Sequence, residues 1–252
     1  MWKIWILTLA FAGIKIGWLC ARFILHYPKR QNILHSLKCN NCNLPLRSIH
    51  QIPIIGYILS KGKCSNCNNN IPLYVLIIPI ITPLLLILLF LKFHFSVLFF
   101  QFSLLTITGI LIFFLDLHHR IIPDIIAYPM IVIAIIFSFF NELGFLNALI
   151  GFAFGAGIFI LIAFIFRVIT KRDGLGGGDI KLIALIGLSL GFKLTFLTIF
   201  LSSVIGVLFH AFSKVRHTVL IPFGSFIVIA MFASMMTGNA LVKLYLGIWG
   251  IQ

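Results

Sequence analysis

The sequence predicts an all-α polytopic membrane protein, with about eight transmembrane helices and one cytoplasmic, zinc-ribbon-like loop. Three observations carry this. Of 252 residues, 61% are apolar and only 10% are charged. Apolar runs of about 20 residues, the length that crosses a bilayer, recur along the chain. A single long polar stretch, residues 26–70, holds four of the five cysteines. A soluble protein of this size needs a far more polar surface. The chain therefore divides into a first transmembrane helix (1–25), a four-cysteine loop (26–70) and a seven-helix membrane core (71–252).

The first run, 2–25, contains Lys3, Lys15 and Arg22. Ala10-Phe11-Ala12 has the small-residue pattern of a signal-peptide cleavage site. Hydrophobicity continues past it to Leu25, so a retained helix is expected. Cys20 in this run reads as a buried small hydrophobe. The later runs fall at about 72–91, 95–115, 121–140, 144–169, 179–190, 193–213 and 218–237. The run 179–190 is short for a span, which calls for tilt or for shielding by neighbours. The tail 239–252, with Lys243 and Trp249, reads as interfacial. Gly151, Gly155 and Gly157, with Gly187 and Gly191, are small enough to let helices approach closely, as plain packing.

Charge orients the chain. The net charge of +14 would suggest nucleic acid on a soluble protein. Here the basic residues sit in loops, where the positive-inside rule accounts for them without a nucleic-acid partner. With the N-terminus outside and residues 26–70 inside, fourteen basic residues fall inside. Four fall outside: Lys3, Lys92, Lys193 and Lys243. The loop carries Lys29, Arg30, Lys38, Arg47, Lys61 and Lys63 and no acid.

Cys39-Asn40-Asn41-Cys42 and Cys64-Ser65-Asn66-Cys67 are two C-x2-C pairs. Each short turn offers two thiolates to one side of a tetrahedral ion, so together they describe a structural four-cysteine zinc site. Zinc would supply folding energy to a loop with little core, on the order of 10 kcal/mol. Two disulfides or a redox pair are the rivals, and a reducing cytoplasm disfavours structural disulfides.

Only five acidic residues occur: Asp116, Asp124, Glu142, Asp173 and Asp179. Asp179 closes the glycine-rich turn Gly174-Leu175-Gly176-Gly177-Gly178-Asp179. Asp116 ends an apolar helix, in Leu115-Asp116-Leu117-His118-His119-Arg120-Ile121-Ile122-Pro123-Asp124. Acids at a membrane edge call for a function. Asp179 alone could be an N-cap. Two carboxylates on different helices at one depth are harder to explain by capping. At ~4 Å and an effective dielectric near 20, ionising both costs about 4 kcal/mol. One member would then hold a proton while the other stays ionised, the arrangement of an aspartic protease. Glycines would let an extended substrate strand come close. His118 and His119 make a poor chelate with Asp116, because adjacent helical residues point about 100° apart. Lys181 faces either an anion or the positive-inside surface, and its sequence does not decide. Glu142 falls on the outer side. Asp173, beside Lys171 and Arg172, reads as solvated.

These motifs together resemble the type IV prepilin peptidases, the GxGD class of intramembrane aspartic proteases. Gly176-Gly177-Gly178-Asp179 fits G-x-G-D, and Ile180-Lys181-Leu182-Ile183-Ala184 fits its continuation. Asp116 through Pro123-Asp124 fits the first aspartate segment. The paired C-x2-C loop resembles the bacterial branch that handles type IV pilins and type II secretion pseudopilins. The resemblance implies cleavage of a prepilin or pseudopilin leader, after a glycine, at the cytoplasmic face of the inner membrane. It implies Asp116 and Asp179 as catalytic residues. Gly176, Gly178, Lys181 and Asp124 would support substrate binding. N-methylation of the new N-terminus by S-adenosylmethionine is implied too, and Gly62 matches a glycine of the loop tied to that activity. Partners would be the leader and transmembrane helix of the substrate, and membrane lipids. The chain departs from the pattern at Gly17-Trp18-Leu19-Cys20-Ala21 and at Leu73-Tyr74-Val75-Leu76-Ile77-Ile78. The second stretch lacks the family's arginine and glutamate, which touches methyl transfer more than proteolysis. A proton-coupled transporter and a non-catalytic zinc-loop scaffold are the alternative readings.

Overall fold

The computed structural model describes residues 2–27, 39, 42, 44, 52–171, 176–212 and 222–248, with side chains to Gly238. Among the described residues the fold is all-helical. Among those residues five helices are long and apolar enough to cross a membrane. The chain divides into two units, Met1–Lys92 and Phe93–Gln252.

The first unit holds α1 (Trp2–His26), a short α2 (Ile55–Leu59) and α3 (Tyr74–Phe93). Gly13 and Gly17 lie four residues apart, on one face of α1. A methyl group at Gly13 would stand 2.6 Å from Pro83 Cα, and one at Gly17 would stand 2.8 Å from Pro79 Cα. Pro79 and Pro83 share the same spacing on α3, so two glycines seat two prolines. This is the close approach that small residues allow in membrane helices. Thr82 donates its hydroxyl proton to the Ile78 carbonyl at 2.8 Å, beside the prolines that interrupt the helix ladder. The sequence reading has no counterpart for α2, which lies inside the cysteine loop.

The second unit holds α4 (Val97–His119), α5 (Asp124–Ser138), α6 (Phe145–Thr170), α7 (Gly177–Phe212) and α8 (Phe223–Ile248). Pro123 is the N-cap of α5, so the chain restarts as a helix where proline is tolerated. The helix α8 continues through residues 239–248, where an interfacial tail is expected from sequence.

A straight α7 of 36 residues would be about 54 Å long, well beyond a bilayer. It is not straight. Gly191 has φ 70° and ψ 179°, outside the helical region. A methyl at Gly155 of α6 would meet Ile183 O at 3.0 Å and Thr195 Cγ2 at 3.2 Å. Those residues are twelve apart and would be about 18 Å apart along one helix. The chain therefore reverses at Gly191, giving arms 177–190 and 192–212, which match the two runs in the sequence. The reversal is anchored by α6: Asn147 Oδ1 accepts the Phe192 N–H at 3.2 Å. Where the helix breaks, the Ser189 carbonyl takes a hydrogen bond from Gln101 Nε2 at 3.5 Å. Gln101 in turn accepts from Asn141 Nδ2 at 2.8 Å. Backbone groups freed by the break thus keep partners in the buried interior.

Leu182 through Leu190 are all buried. A helix apolar on every side belongs inside a bundle, so shielding, not exposure to lipid, accommodates this short arm. The glycine stripe of α6 makes room for it. A methyl at Gly151 would stand 2.7 Å from Gly191 C and against Gly187 O. Gly157, by contrast, faces open space.

Gly191→Ala forces a side chain into a backbone region that favours glycine and against Asn147, at an expected cost of about 1–3 kcal/mol. The thermal unfolding midpoint in detergent should fall in this variant. Gly157→Ala should leave it unchanged or slightly raised.

Candidate functional site

Asp116 lies in the last turn of α4 and is 7% exposed. Four residues later Arg120, in the left-handed conformation, ends the helix and donates its N–H to the Asp116 carbonyl at 2.9 Å. The carboxylate itself points at the start of α8. Its Oδ2 accepts the Ser225 backbone N–H at 2.8 Å and lies 3.2 Å from the Ser225 hydroxyl. That hydroxyl is also 3.1 Å from the Phe113 carbonyl, so one proton is shared between two acceptors. The first N–H groups of a helix have no intrahelical acceptor, and here a carboxylate from α4 serves α8.

Asp179 is the third residue of α7, not its N-cap. Its N–H donates to Gly176 O at 3.0 Å, and a methyl at Gly176 would stand 3.4 Å from its Oδ2. Gly178 is required for a different reason. A methyl there would lie 2.9 Å from Ile122 Cβ, in the connection between α4 and α5. The turn residues 172–175, including Gly174, lie outside the described residues, as does Asp173.

The two carboxylates meet at Gly224. A methyl on Gly224 would stand 2.9 Å from Asp116 Oδ2 and 3.2 Å from Asp179 Oδ1. The two oxygens are therefore no more than 6.1 Å apart, the sum of those distances. Gly224 and Ser225 are site residues that the sequence reading misses. Their one signal is Pro222-Phe223-Gly224-Ser225, a proline and two small residues opening an apolar helix.

Lys181 and Asp124 pair with each other, Nζ to Oδ1 at 2.5 Å. Lys181 also lies 5.0 Å from the centre of the Tyr128 ring. The pair ties the start of α5 to the start of α7 beside the two acids. His118 and His119 are exposed.

In the first unit the four cysteines converge. Cys39 and Cys67 sulfurs are 3.6 Å apart, Cys42 and Cys64 sulfurs 3.9 Å, and all four lie within 4.8 Å of one another. Thiolates bound 2.3 Å from a tetrahedral zinc stand about 3.8 Å from each other, so the donor set fits such an ion. Cys39 N–H donates to Leu44 O, and Cys64 N–H to Asn69 O, closing a turn around each pair. The Cys42 thiol is pushed up to about 11. A hydrogen bond at the Leu44 backbone lowers it, and burial with the three neighbouring sulfurs outweighs that. Gly62 has φ 66°, and a methyl there would stand 2.8 Å from the Tyr57 hydroxyl. Its carbonyl accepts the Ile71 N–H at 2.7 Å, while Tyr57 donates to the Ile71 carbonyl at 3.1 Å. The loop's basic residues Lys29, Arg30, Lys38 and Arg47 lie outside the described residues.

Comparison with known proteins gives consistent matches. The type IV leader peptidase family matches residues 103–211, and the bacterial peptidase A24 N-terminal domain matches residues 11–93. A prepilin leader peptidase/N-methyltransferase of Pseudomonas aeruginosa is 29% identical over 227 residues, 87% of this chain and 78% of that protein. The protein of that name from Dichelobacter nodosus is 29% identical, over 82% of this chain and 73% of its own length. The one from Neisseria gonorrhoeae is 31% identical, over 67% of this chain and 59% of its own. No solved structure gives a comparable match.

The cysteine geometry makes a measurable demand. The purified protein should carry about one zinc per chain by elemental analysis, and Cys64→Ser should lose it. Zinc binding releases thiol protons, so affinity should weaken as pH falls.

Proposed function

We propose that this chain, which matches the type IV leader peptidase family over residues 103–211, is a membrane aspartic endopeptidase with Asp116 and Asp179 as its catalytic carboxyls. Its substrates are the leaders of type IV prepilins or type II secretion pseudopilins, cut after a glycine. The observation that supports this most is the meeting of the two acids, 63 residues apart in sequence and on different helices, across Gly224. Two full charges no more than about 6 Å apart repel by at least roughly 3 kcal/mol at an effective dielectric near 20. A singly protonated pair removes that cost, and it is the state that hydrolysis uses.

The ionised carboxylate takes a proton from water as the water oxygen attacks the scissile carbonyl carbon. The protonated carboxyl gives its proton to the carbonyl oxygen. The resulting gem-diol collapses with cleavage of the C–N bond. The leaving nitrogen takes the first proton, and the second carboxyl recovers its own. Lys181 and Asp124 hold two helix starts together at the rim of this site, so their role is read as support.

Zinc, held by Cys39, Cys42, Cys64 and Cys67, would fix the loop and take no part in hydrolysis, since four thiolates leave no open position. N-methylation with S-adenosylmethionine is proposed from the relatives' names, with Gly62 in the associated loop. With eight spans in the inner membrane, the positive-charge bias would put the loop and both acids on the cytoplasmic side. A transporter would more often keep its acids near the bilayer midplane, whereas Asp116 and Asp179 occupy terminal turns of their helices.

Cleavage of a prepilin in membranes tests the reading. Asp116→Asn and Asp179→Asn should each lower the rate by at least on the order of 10²–10⁴-fold. The mass of the wild-type product should show leader loss, and an added methyl if the second activity operates. Cleavage that survives in either variant breaks the pair.

A further inference from the structure

We propose that the two carboxyls have fixed, different roles, with Asp116 the ionised base, Asp179 the protonated acid, and Ser225 the positioning residue that sets this order. This rests on the aspartic-peptidase reading above, and it assigns what that reading leaves symmetric.

The surroundings of the two groups are unequal. Asp116 Oδ2 accepts the Ser225 N–H at 2.8 Å and shares the Ser225 hydroxyl proton at 3.2 Å. These donors open α8, a helix of 26 residues, whose N-terminus carries partial positive charge. Hydrogen bonds donated to a carboxylate favour its charged form. Asp179 also lies in a first helical turn, that of α7, but its side chain receives no such hydrogen bond. Among the described residues no hydrogen bond reaches its carboxyl, and its charged neighbour is Asp116 itself. When the pair holds one proton, Asp179 keeps it and Asp116 carries the charge. Asp116 then deprotonates the water, and Asp179 donates to the carbonyl oxygen.

The assignment makes the two limbs of a pH profile respond differently. In a coupled pair the acidic limb reports loss of the first proton, and the alkaline limb loss of the second. If Asp116 loses its proton first, weakening its donors moves the acidic limb alone. Ser225→Ala removes the hydroxyl. Ser225→Pro removes the N–H as well, in a first helical turn where no intrahelical bond is lost.

The experiment is the pH dependence of kcat/KM for prepilin cleavage in Ser225→Ala, Ser225→Pro and Ser225→Thr. The acidic limb should rise by up to about half a pH unit in the alanine variant and by about one in the proline variant, with the alkaline limb in place. Threonine should restore the wild-type profile. A shift of the alkaline limb alone would reverse the roles, and no shift of either limb would remove Ser225 from the mechanism. A second measurement needs neither a variant nor turnover. Epoxides esterify ionised carboxylates, whereas diazoacetyl compounds esterify protonated carboxyls. Mass mapping of the wild-type protein should find the epoxide adduct on Asp116 and the diazoacetyl adduct on Asp179. The opposite pattern overturns the assignment even if no prepilin is cleaved.

Discussion

The architecture of the second unit is organised around two carboxyl groups that stand close together beside an apolar bundle. Neither helix could hold a carboxylate charge there alone. Asp116 is stabilised by the backbone of α8, and Asp179 reaches it across a residue with no side chain. The absence of atoms at Gly224 matters as much as the acids, since a methyl there would press on both carboxyl groups. The other close contacts serve the same end. Gly178 lets the start of α7 settle against Ile122, and Lys181 with Asp124 fixes the neighbouring helix starts.

Depth is managed separately from chemistry. The arm that carries Asp179 is too short to cross 30 Å of hydrocarbon unaided. It is surrounded instead by α6 and its own second arm, with glycines at the contacts. The end remote from the acids is pinned by Gln101, Asn141 and Asn147, which supply the hydrogen bonds that the turn at Gly191 would otherwise leave open. The polar side chains at the reversal thus repair its backbone, and the two acids stand at the opposite end.

Much of this is legible in the sequence because acids are so scarce. With five in the chain, Asp116 and Asp179 stand out, and the two C-x2-C pairs announce their geometry by spacing alone. The split at Gly191 shows as a pause between two apolar runs. What does not show is anything that depends on a distant partner. Ser225 looks like an ordinary residue opening a helix, and its meaning lies in a contact 109 residues away. Lys181 reads equally as an anion binder or a surface cation until Asp124 is brought beside it. The short α2 escapes because five residues carry no periodicity.

The reversal at Gly191 has a consequence for how the active protein comes into being. During synthesis, the arm bearing Asp179 emerges before the arm that must fold back beside it, and well before α8. Lipid offers that first arm no stable lodging by itself. Asp116 meets its hydrogen-bond donors, and Asp179 its neighbour, only once the hairpin has closed and α8 has docked. A half-inserted chain therefore carries two isolated acids and no carboxyl pair. The carboxyl pair proposed to be catalytic thus exists only once the bundle is complete.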